Sequence, residues 1–393
     1  MIKGGVGKMK EVPLINAGGS VLKKLMEVGH QAYFVGGMVR DQLLGFEVKD
    51  VDIATSATPD EIKGIFEQVY ETGVAHGTVT VVRNGFNIEV TTFRIETGYS
   101  DGRRPDEVMF TTSLEADLSR RDFTINGMAQ TLDGTIIDPF NGRMDLETRL
   151  IRAIGNPTAR FEEDALRILR GVRFVAKLGF DIEAKTLKAM KGCRPLLARL
   201  SFERIRGELT GMIEGKYRKK AMGIMFEYGL FKEIPFFKEI HHIDGLHLFN
   251  TIASFLAFVA FEVNDRALFL SAFPFRKEEK RWIKQLEVAH RFRVVDRMRL
   301  TQYYFGLQTA NILHQLNAFY AKSDEPFQAV SLPIQCRQDL AFQPEVAIQL
   351  FEREPGPWMG KCFTEIERLV LSGALENTDG AIRAYLEGVM DHE

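Results

Sequence analysis

Apolar and polar positions follow two different patterns along this chain. Up to about residue 150, short apolar runs alternate with glycine-containing and charged segments, which is typical of strands interleaved with short helices. Beyond Ile151, apolar residues recur at helical spacing as far as Glu393, and β-branched runs become scarce. The pattern therefore predicts a mixed α/β head followed by an all-helical remainder.

The pattern also predicts individual elements within the head. Strands are expected at Ala32–Val35 and in "VDIAT", and "TVTVVRNGFNIEVTT" predicts a hairpin that turns at Asn84-Gly85. The polar, glycine-rich segment 95–110 predicts a mobile loop. Helical spacing predicts helices over three further segments, which are 14–28, a stretch from about Val39, and 56–66.

Composition narrows the class of protein. A chain of 393 residues, 45% of them apolar, is long enough for about two to four domains with sizeable cores. No apolar run has the length of a membrane span, no signal peptide is visible, and the 3 cysteines lack metal-ligand spacing. We therefore expect a cytoplasmic, reduced protein. A net charge of −2 means that any nucleic-acid site must depend on clustered basic residues.

The first candidate ligand site is the glycine pair Gly36-Gly37. Glycine between a strand and a helix lets the backbone approach a ligand, and the helix N–H groups then face a phosphate. Arg40 lies one turn further on and can reach the same phosphates. A glycine pair by itself is more often a plain tight turn, and only the Asp-x-Asp that follows favours the phosphate site.

The second candidate site is the pair Asp50 and Asp52 in "KDVDIAT". Alternation with Val51 and Ile53 predicts one strand that presents both carboxylates on one face. Two such carboxylates can ligate Mg²⁺, which prefers oxygen ligands and shares its shell with substrate phosphates. Glu89 lies in a neighbouring predicted strand, either as a third carboxylate or as a solvated side chain. With the glycines and Arg40, the pair indicates a metal-dependent nucleotidyl-transfer site.

A polar cluster follows in "SRRDFTINGMA", before a predicted helix. Arginine forks suit triphosphate oxygens, whereas Asp and Asn suit ribose hydroxyls. Arg121, Asp122 and Asn126 are therefore candidate nucleotide ligands. A capped helix start with an ion pair would have the same sequence.

The segment "EEDALRILRGVRF" suggests base recognition. On a helix, Asp164 and Arg167 share a face, and Arg170 and Arg173 continue that row. A carboxylate accepts a hydrogen bond from the amino group of cytosine or adenine, while a guanidinium donates one to the ring nitrogen. Uracil and guanine reverse both contacts, and unpaired buried polar groups are costly enough to discriminate. An ordinary salt-bridged helix has the same pattern.

Five ordered motifs together resemble those of class II tRNA nucleotidyltransferases, the CCA-adding enzymes, which are related to bacterial poly(A) polymerases. The motifs are "VGGMVRDQLLG…KDVDIAT", "SRRDFTINGMA", "DPFNGRMDLETRLIR", "EDALRILRGVRF" and "SFERIRGEL". The resemblance implies a polymerase-β-like nucleotidyltransferase head followed by an all-α neck, body and tail in a seahorse shape. It also implies addition of CCA to the 3′ end of tRNA from CTP and ATP, with Mg²⁺ and release of pyrophosphate.

The resemblance also assigns roles to residues. Asp50 and Asp52 match metal ligands; Gly37, Arg40 and Arg121 match nucleotide contacts. Asp164 and Arg167 match the base-recognition pair, and Arg170 and Arg173 match further nucleotide contacts. The segment "DGRRPDEVMF" (101–110) resembles the flexible loop of enzymes that also add A.

The expected domains are a disordered leader at 1–10, the head at 11–148, the neck at 149–212, the body at 213–300 and the tRNA-binding tail at 301–393. Basic segments at 216–220 and 275–300 are either tRNA contacts or solvated helix faces. A homodimer is compatible with the sequence. Two rival functions remain open at this point, a poly(A) polymerase on the same head and a non-catalytic RNA-binding protein.

Overall fold

The computed structural model describes residues 13–73, 77–97, 107–241, 245–323 and 325–390. The predicted leader and most of segment 101–110 lie outside these residues. The chain divides into two compact units, Met1–Lys238 and Glu239–Glu393, and the finer boundaries between head, neck, body and tail stay a prediction. Among the described residues, no helix has both the length and the apolar character needed to cross a bilayer.

The first unit has ten helices among its described residues. These are α1 Pro13–Glu27, α2 Gly37–Leu43, α3 Pro59–Ile65, α4 Leu114–Ser119, α5 Gly142–Glu147, α6 Pro157–Glu163, α7 Leu166–Leu178, α8 Ala184–Cys193, α9 Phe202–Ile213 and α10 Arg218–Glu227. The described part of the second unit contains α11 Ile252–Glu262, α12 Arg266–Ala272, α13 Lys277–Ala289, α14 Arg297–Ala321, α15 Pro344–Phe351, α16 Pro357–Ser372 and α17 Asp379–Met390.

The described strands all belong to the first unit. They are β1 Ala32–Val35, β2 Asp52–Thr55, β3 Val69–Gly73, β4 Thr78–Arg83, β5 Phe86–Thr92, β6 Arg94–Thr97, β7 Glu107–Phe110, β8 Ala129–Gln130, β9 Ile136–Ile137, β10 Leu150–Ile151 and β11 Asp181–Ile182. The predicted α/β head and helical remainder are confirmed, apart from the short pair β10–β11.

The main sheet of the head has seven strands in the order β3-β4-β5-β2-β1-β8-β9. Its β2–β5 pair is parallel, whereas β1 pairs antiparallel with both β2 and β8. The β4–β5 hairpin is confirmed, because Asn84 (φ 51°) and Gly85 (φ 78°) both adopt the left-handed backbone that a tight hairpin turn needs. The sheet packs apolar residues such as Phe93 against Leu118 of α4. This packing fixes the positions of the strand ends next to which the candidate site residues lie.

Two local predictions for the head are wrong. The polar segment 95–110 is not a loop throughout, because β6 and β7 pair at its two ends, with Ile95 opposite Met109. The segment after Asp122 does not begin an apolar helix. It forms a single 3₁₀ turn, Thr124–Asn126, and then enters β8, because Phe123 and Ile125 are both buried beside strands. Tertiary packing has overridden local helical preference here.

Helix α14 of the second unit is broken at Gly306. This residue has φ 83° and ψ 172°, a backbone conformation that is essentially restricted to glycine. Before the break, Leu300 joins an apolar cluster with residues of α16 and α17. Beyond the break, α14 packs against α11 and α13. The glycine therefore lets one helix serve two differently oriented cores.

Candidate active site

A polar cleft of about 1380 Å³ opens in the first unit. Most of its lining comes from four segments, which are the β1–α2 turn with α2, the approach to β2, the residues after α4, and α7; Arg94 and Arg204 add to it from elsewhere. All the predicted site residues except Glu89 line it, namely Gly36, Gly37, Arg40, Asp50, Asp52, Arg121, Asp122, Asn126, Asp164, Arg167, Arg170 and Arg173. Predicted residues from three of the five motifs therefore meet in one site.

Gly36 has no side chain, so a ligand in this cleft can contact the backbone there directly. Its φ of 70° and ψ of −132° are accessible to glycine and strained for other residues. A Cβ at this position would lie 3.1 Å from Nη1 of Arg121 and 3.5 Å from Oδ2 of Asp52. The glycine turn, the guanidinium and the carboxylate are therefore immediate neighbours.

The carboxylates lie at the edge of the sheet next to that turn. Asp52 is the first residue of β2 and is in register with Glu89 on β5. The prediction that Asp50 shares the strand is wrong, because β2 starts at Asp52 and Asp50 precedes it. The pKa of Asp52 is raised to about 6, mainly by burial and also by the charges of Glu89 and Asp50, against the lowering effect of Arg121.

This donor set suits a hard divalent cation. The ligands are carboxylate oxygens, which Mg²⁺ prefers, and Asp52 lies near two further carboxylates, Glu89 and Asp50, whose charges help to raise its pKa after the larger effect of burial. No ready-made group of three or more His, Cys, Asp or Glu ligands occurs in the described parts of the chain. Mg²⁺ is commonly held by one or two carboxylates together with substrate phosphates, so Asp50 and Asp52 fit that ion. Glu89 is exposed, and its role as a third ligand stays a prediction.

Arg121 is held in the cleft by a residue that the sequence did not single out. Asp117, which is fully buried, accepts from Nη2 of Arg121 at 3.1 Å and from Nη2 of Arg120 at 2.8 Å. Burial alone would raise the pKa of Asp117, but Arg121 and Arg120 bring it below the ordinary value. Asp117 uses Nη2 of Arg121, whereas Nη1 faces the Gly36 turn and can donate to a ligand oxygen there.

A chain of buried hydrogen bonds joins the glycine-turn helix to α7. Arg40 donates to Asn126 Oδ1 at 2.6 Å, and Asn126 donates to Asp122 Oδ1 at 3.0 Å. Arg170 of α7 then donates to Asp122 Oδ2 at 2.8 Å. Burial opposes ionisation of Asp122, but Arg170 and the hydrogen bonds lower its pKa below the ordinary value. Asp122 and Asn126 thus fix the arginines in place, and their direct nucleotide contacts stay a prediction.

The predicted base-recognition pair is arranged differently from the prediction. Asp164 is not on a helix with Arg167, because it has extended backbone (φ −146°) between α6 and α7. Arg167 pairs with Glu163 at 2.8 Å, and Asp164 pairs with Arg204 at 2.7 Å. Each group is therefore fixed by another partner, and both still line the cleft.

The remaining arginines of α7 are fixed in a similar way. Arg173 pairs with Glu208 at 2.6 Å, and its guanidinium lies 5.0 Å from the ring centroid of Phe174. Arg40 and Arg170 also lie over this ring, at 5.1 and 5.9 Å. Phe174 therefore holds three cations on one side of the cleft, which suits a polyanionic ligand.

Family comparisons agree with this geometry. A family model described as "Poly A polymerase head domain" matches residues 32–152. A second, described as "Probable RNA and SrmB- binding site of polymerase A", matches residues 179–241. A model of tRNA nucleotidyltransferase domain 2 matches residues 249–386.

Similarity to whole proteins decides the family. The chain is 38% identical to the CCA-adding enzyme of Enterococcus faecalis over 385 residues, which covers 93% of this chain and 94% of that protein. It is 37% identical to the CCA-adding enzyme of Bacillus pumilus over 383 residues, covering 93% and 95%. This chain belongs to the CCA-adding enzyme family. It is therefore a nucleotidyltransferase, and neither a poly(A) polymerase nor a silent RNA-binding protein is favoured.

Solved structures of CCA-adding enzymes have the same fold. The Bacillus stearothermophilus enzyme in complex with CTP is 32% identical, with a TM-score of 0.78 over 97% of this chain and 98% of that one. The Thermotoga maritima enzyme complexed with tRNA is 21% identical, with a TM-score of 0.71 over 96% of each chain, and supports the fold alone. The predicted fold class, an α/β nucleotidyltransferase head with a helical remainder, is thereby confirmed.

Proposed function

We propose that this CCA-adding enzyme uses the cleft between the β1–α2 turn and α7 to extend the 3′ end of tRNA with C, C and A. One observation carries the assignment of residues: Gly36, Asp52 and Arg121 are immediate neighbours in that cleft. A glycine turn without side chains, a carboxylate beside it and a guanidinium whose Nη1 faces the same turn together suit a metal-bound triphosphate.

The triphosphate binds along the glycine turn. The backbone at Gly36 and Gly37 approaches the phosphates without side-chain hindrance, and Nη1 of Arg121, which faces Gly36, donates to a non-bridging oxygen. The cations gathered around Phe174 lie in the same cleft and attract the polyanion.

The transfer reaction is a displacement at phosphorus. The tRNA 3′-hydroxyl oxygen forms a bond to the α-phosphorus of CTP or ATP, the bond from that phosphorus to the leaving oxygen breaks, and pyrophosphate departs. Asp50 and Asp52 would hold Mg²⁺, which when bound lowers the pKa of the hydroxyl and neutralises charge on the leaving group. The side chains of this protein therefore serve to bind and orient the substrates, and no side-chain general base is required.

Base choice is assigned to Asp164 and Arg167. Arg204 and the Leu166 N–H each use one acceptor position of the Asp164 carboxylate, which leaves further lone pairs for the amino group of C or A. Arg167 is held by Glu163 and by the carbonyls of Arg160 and Arg120. Because neither side chain is free to rotate, U and G would meet unpaired groups.

The tRNA body requires a basic surface, and α13 provides one in the second unit. Lys277, Arg281 and Lys284 are exposed at i, i+4 and i+7, so they share one helix face. Arg291 and Arg293 are exposed just beyond the helix. Such a row suits RNA phosphates. Since tRNA and both nucleotides are cytoplasmic substrates, the reaction belongs in that compartment.

The test is a product-length assay on tRNA that lacks its last three nucleotides, with CTP, ATP and Mg²⁺. The parent protein should add C, C and A and then stop. Asp52→Asn should lower the rate at least about 100-fold, because the charge that holds the cation is lost. Asp60→Asn on α3 is the matched control, since its side chain is 89% exposed and outside the cleft, and it should act like the parent.

Two outcomes would contradict the proposal. Long A tails without C incorporation would indicate a poly(A) polymerase instead. An Asp52→Asn variant as active as the parent would show that the cleft is not the catalytic site, even if CCA is added.

A further inference from the structure

Phe46 is an aromatic side chain that the assigned chemistry leaves unused. It lies in the segment between α2 and β2 and lines the cleft together with Asp50 and Asp52. The other apolar side chains of the cleft are at most 9% exposed, whereas Phe46 is 49% exposed. Those buried residues are Met38, Val48, Leu166 and Phe174.

The hydrogen bonds at the end of α2 explain why the Phe46 ring is not buried. The Phe46 N–H donates to the Asp41 carbonyl at 2.8 Å, and the Gly45 N–H donates to the Gln42 carbonyl at 3.0 Å, with Gly45 at φ 70°. This is a Schellman helix end, in which the residue after the glycine commonly packs on an apolar residue of the last turn. Here the facing positions are Arg40 and Asp41, both charged, so the ring has no apolar partner there.

The loop itself is nevertheless held firmly. Val48 and Val51 are 8% and 2% exposed and anchor the segment in the head. Phe46 and Asp50 are four positions apart, which limits the distance between their Cα atoms to about 14 Å. An anchored, half-exposed ring therefore lies within one or two nucleotide lengths of the carboxylates.

We propose that the Phe46 ring is the stacking platform for the last base of the tRNA 3′ end. This inference rests on the proposed function, which brings the 3′-hydroxyl to Asp50 and Asp52. The terminal base of the acceptor differs from one addition to the next, so its binding site must tolerate different bases. Stacking on an aromatic ring does so, because every base has a π-face.

The incoming nucleotide is the less suitable occupant. Its base edge is assigned to Asp164 and Arg167 near the start of α7, whereas Phe46 follows α2. The cleft of about 1380 Å³ also exceeds the roughly 300–1000 Å³ of ordinary ligand sites, which leaves room for a second nucleotide.

Steady-state kinetics with trimmed tRNA distinguish whether Phe46 binds the terminal base of tRNA or the base of the incoming nucleotide. Phe46→Ala should weaken the binding of tRNA. This should raise the KM for tRNA, or lower kcat/KM, by roughly 5- to 150-fold, the range for loss of one base–aromatic stack. The KM for CTP should not change. Phe46→Trp should retain parental values, and Phe46→Leu should behave like alanine. Tyr70→Ala is the matched control, because Tyr70 is an aromatic residue of β3 in the head, is 61% exposed and lies outside the cleft.

A binding measurement independent of turnover completes the test. The fluorescence of a tRNA with 2-aminopurine as its terminal base should be quenched when the tRNA binds the parent or Phe46→Trp. Binding to Phe46→Ala should quench this fluorescence markedly less. Parental tRNA kinetics and quenching in Phe46→Ala, or a changed KM for CTP alone, would overturn the inference while leaving the proposed function intact. Failure of the parent to add CCA would contradict the proposed function instead.

Discussion

At the scale of single residues, the cleft depends on buried carboxylates that orient arginines. Asp117 and Asp122 are 0% and 7% exposed, and each is neutralised by arginines that line the cleft. An arginine held in this way keeps a fixed direction, and so loses little conformational entropy when a phosphate binds. These two carboxylates are therefore positioning residues for Arg121 and Arg170.

Asp117 should make stability depend on pH in a definite direction. Its pKa is lowered in the folded protein, so its stabilising contribution is complete above the unfolded value of about 3.9 and is lost as pH falls through the folded value. We expect Asp117→Asn to destabilise the protein at pH 7 by about 3 kcal/mol, because a buried pair loses one partner. The thermal midpoint measured against pH should show this difference narrowing below about pH 4. A difference that stays constant from pH 7 to pH 3 would contradict the ion-pair account.

Asp164 should control base choice without being needed for triphosphate binding. In Asp164→Ala, the ratio of UTP to CTP incorporation should rise roughly 10- to 100-fold, because the group that rejects a carbonyl is gone. Competition between the two nucleotides on trimmed tRNA measures this ratio. Glu162→Ala is the matched control, since Glu162 is a nearby acidic residue with an exposed side chain. Unchanged rejection of UTP by Asp164→Ala would refute the recognition role.

The sequence predicted which residues form the site better than it predicted how they are held. Gly36, Asp52 and Arg121 could be named because their chemistry is local and their motifs are ordered along the chain. The partners of Asp164 and Arg167 could not be named, since a break between α6 and α7 turns Asp164 towards Arg204, 40 residues away. Arg120 and Arg121 follow Asp117 at i+3 and i+4, so this pairing was open to sequence reasoning, but the complete burial of Asp117 arises only when α4 packs against the sheet.

At the scale of elements, turn chemistry was the most reliable guide. The Asn84-Gly85 turn acts through bonds within a few residues, so the β4–β5 hairpin was predictable. The helix expected over 56–66 begins only at Pro59, where the side chain of Thr58 caps it. The segment 123–130 was not predictable, because its short turn and strand exist only by packing in the sheet.

The break in α14 gives an element-scale prediction with opposite signs for two similar substitutions. Gly306→Ala should lower stability by about 1–3 kcal/mol, because its φ of 83° strains any other residue even though a Cβ would meet no atom within 4 Å. Gly360→Ala in α16 should raise stability by about 0.5–1 kcal/mol, because that glycine has ordinary helical backbone and open space. Thermal unfolding of both variants is the measurement. Equal stabilisation by both would show that α14 is continuous.

At the scale of the whole molecule, the resemblance seen in five motifs extends over nearly the full chain. The motifs ended at Leu209, whereas whole-chain similarity to CCA-adding enzymes covers 93% of the residues. The second unit could not be assigned from sequence because helix-forming, apolar and basic residues there occur without a motif that specifies chemistry. Its expected division into body and tail, and the homodimer that the sequence allows, remain predictions.

The central claim is that Asp50 and Asp52 hold a divalent cation against a triphosphate seated on the Gly36-Gly37 turn. A crystal structure with CTP and Mn²⁺, located by its anomalous scattering, tests this most directly. We expect Mn²⁺ bonded to oxygens of both aspartates and of the triphosphate, with Arg121 donating to the phosphates. A nucleotide bound elsewhere in the chain, or Mn²⁺ without either aspartate in its shell, would contradict the account.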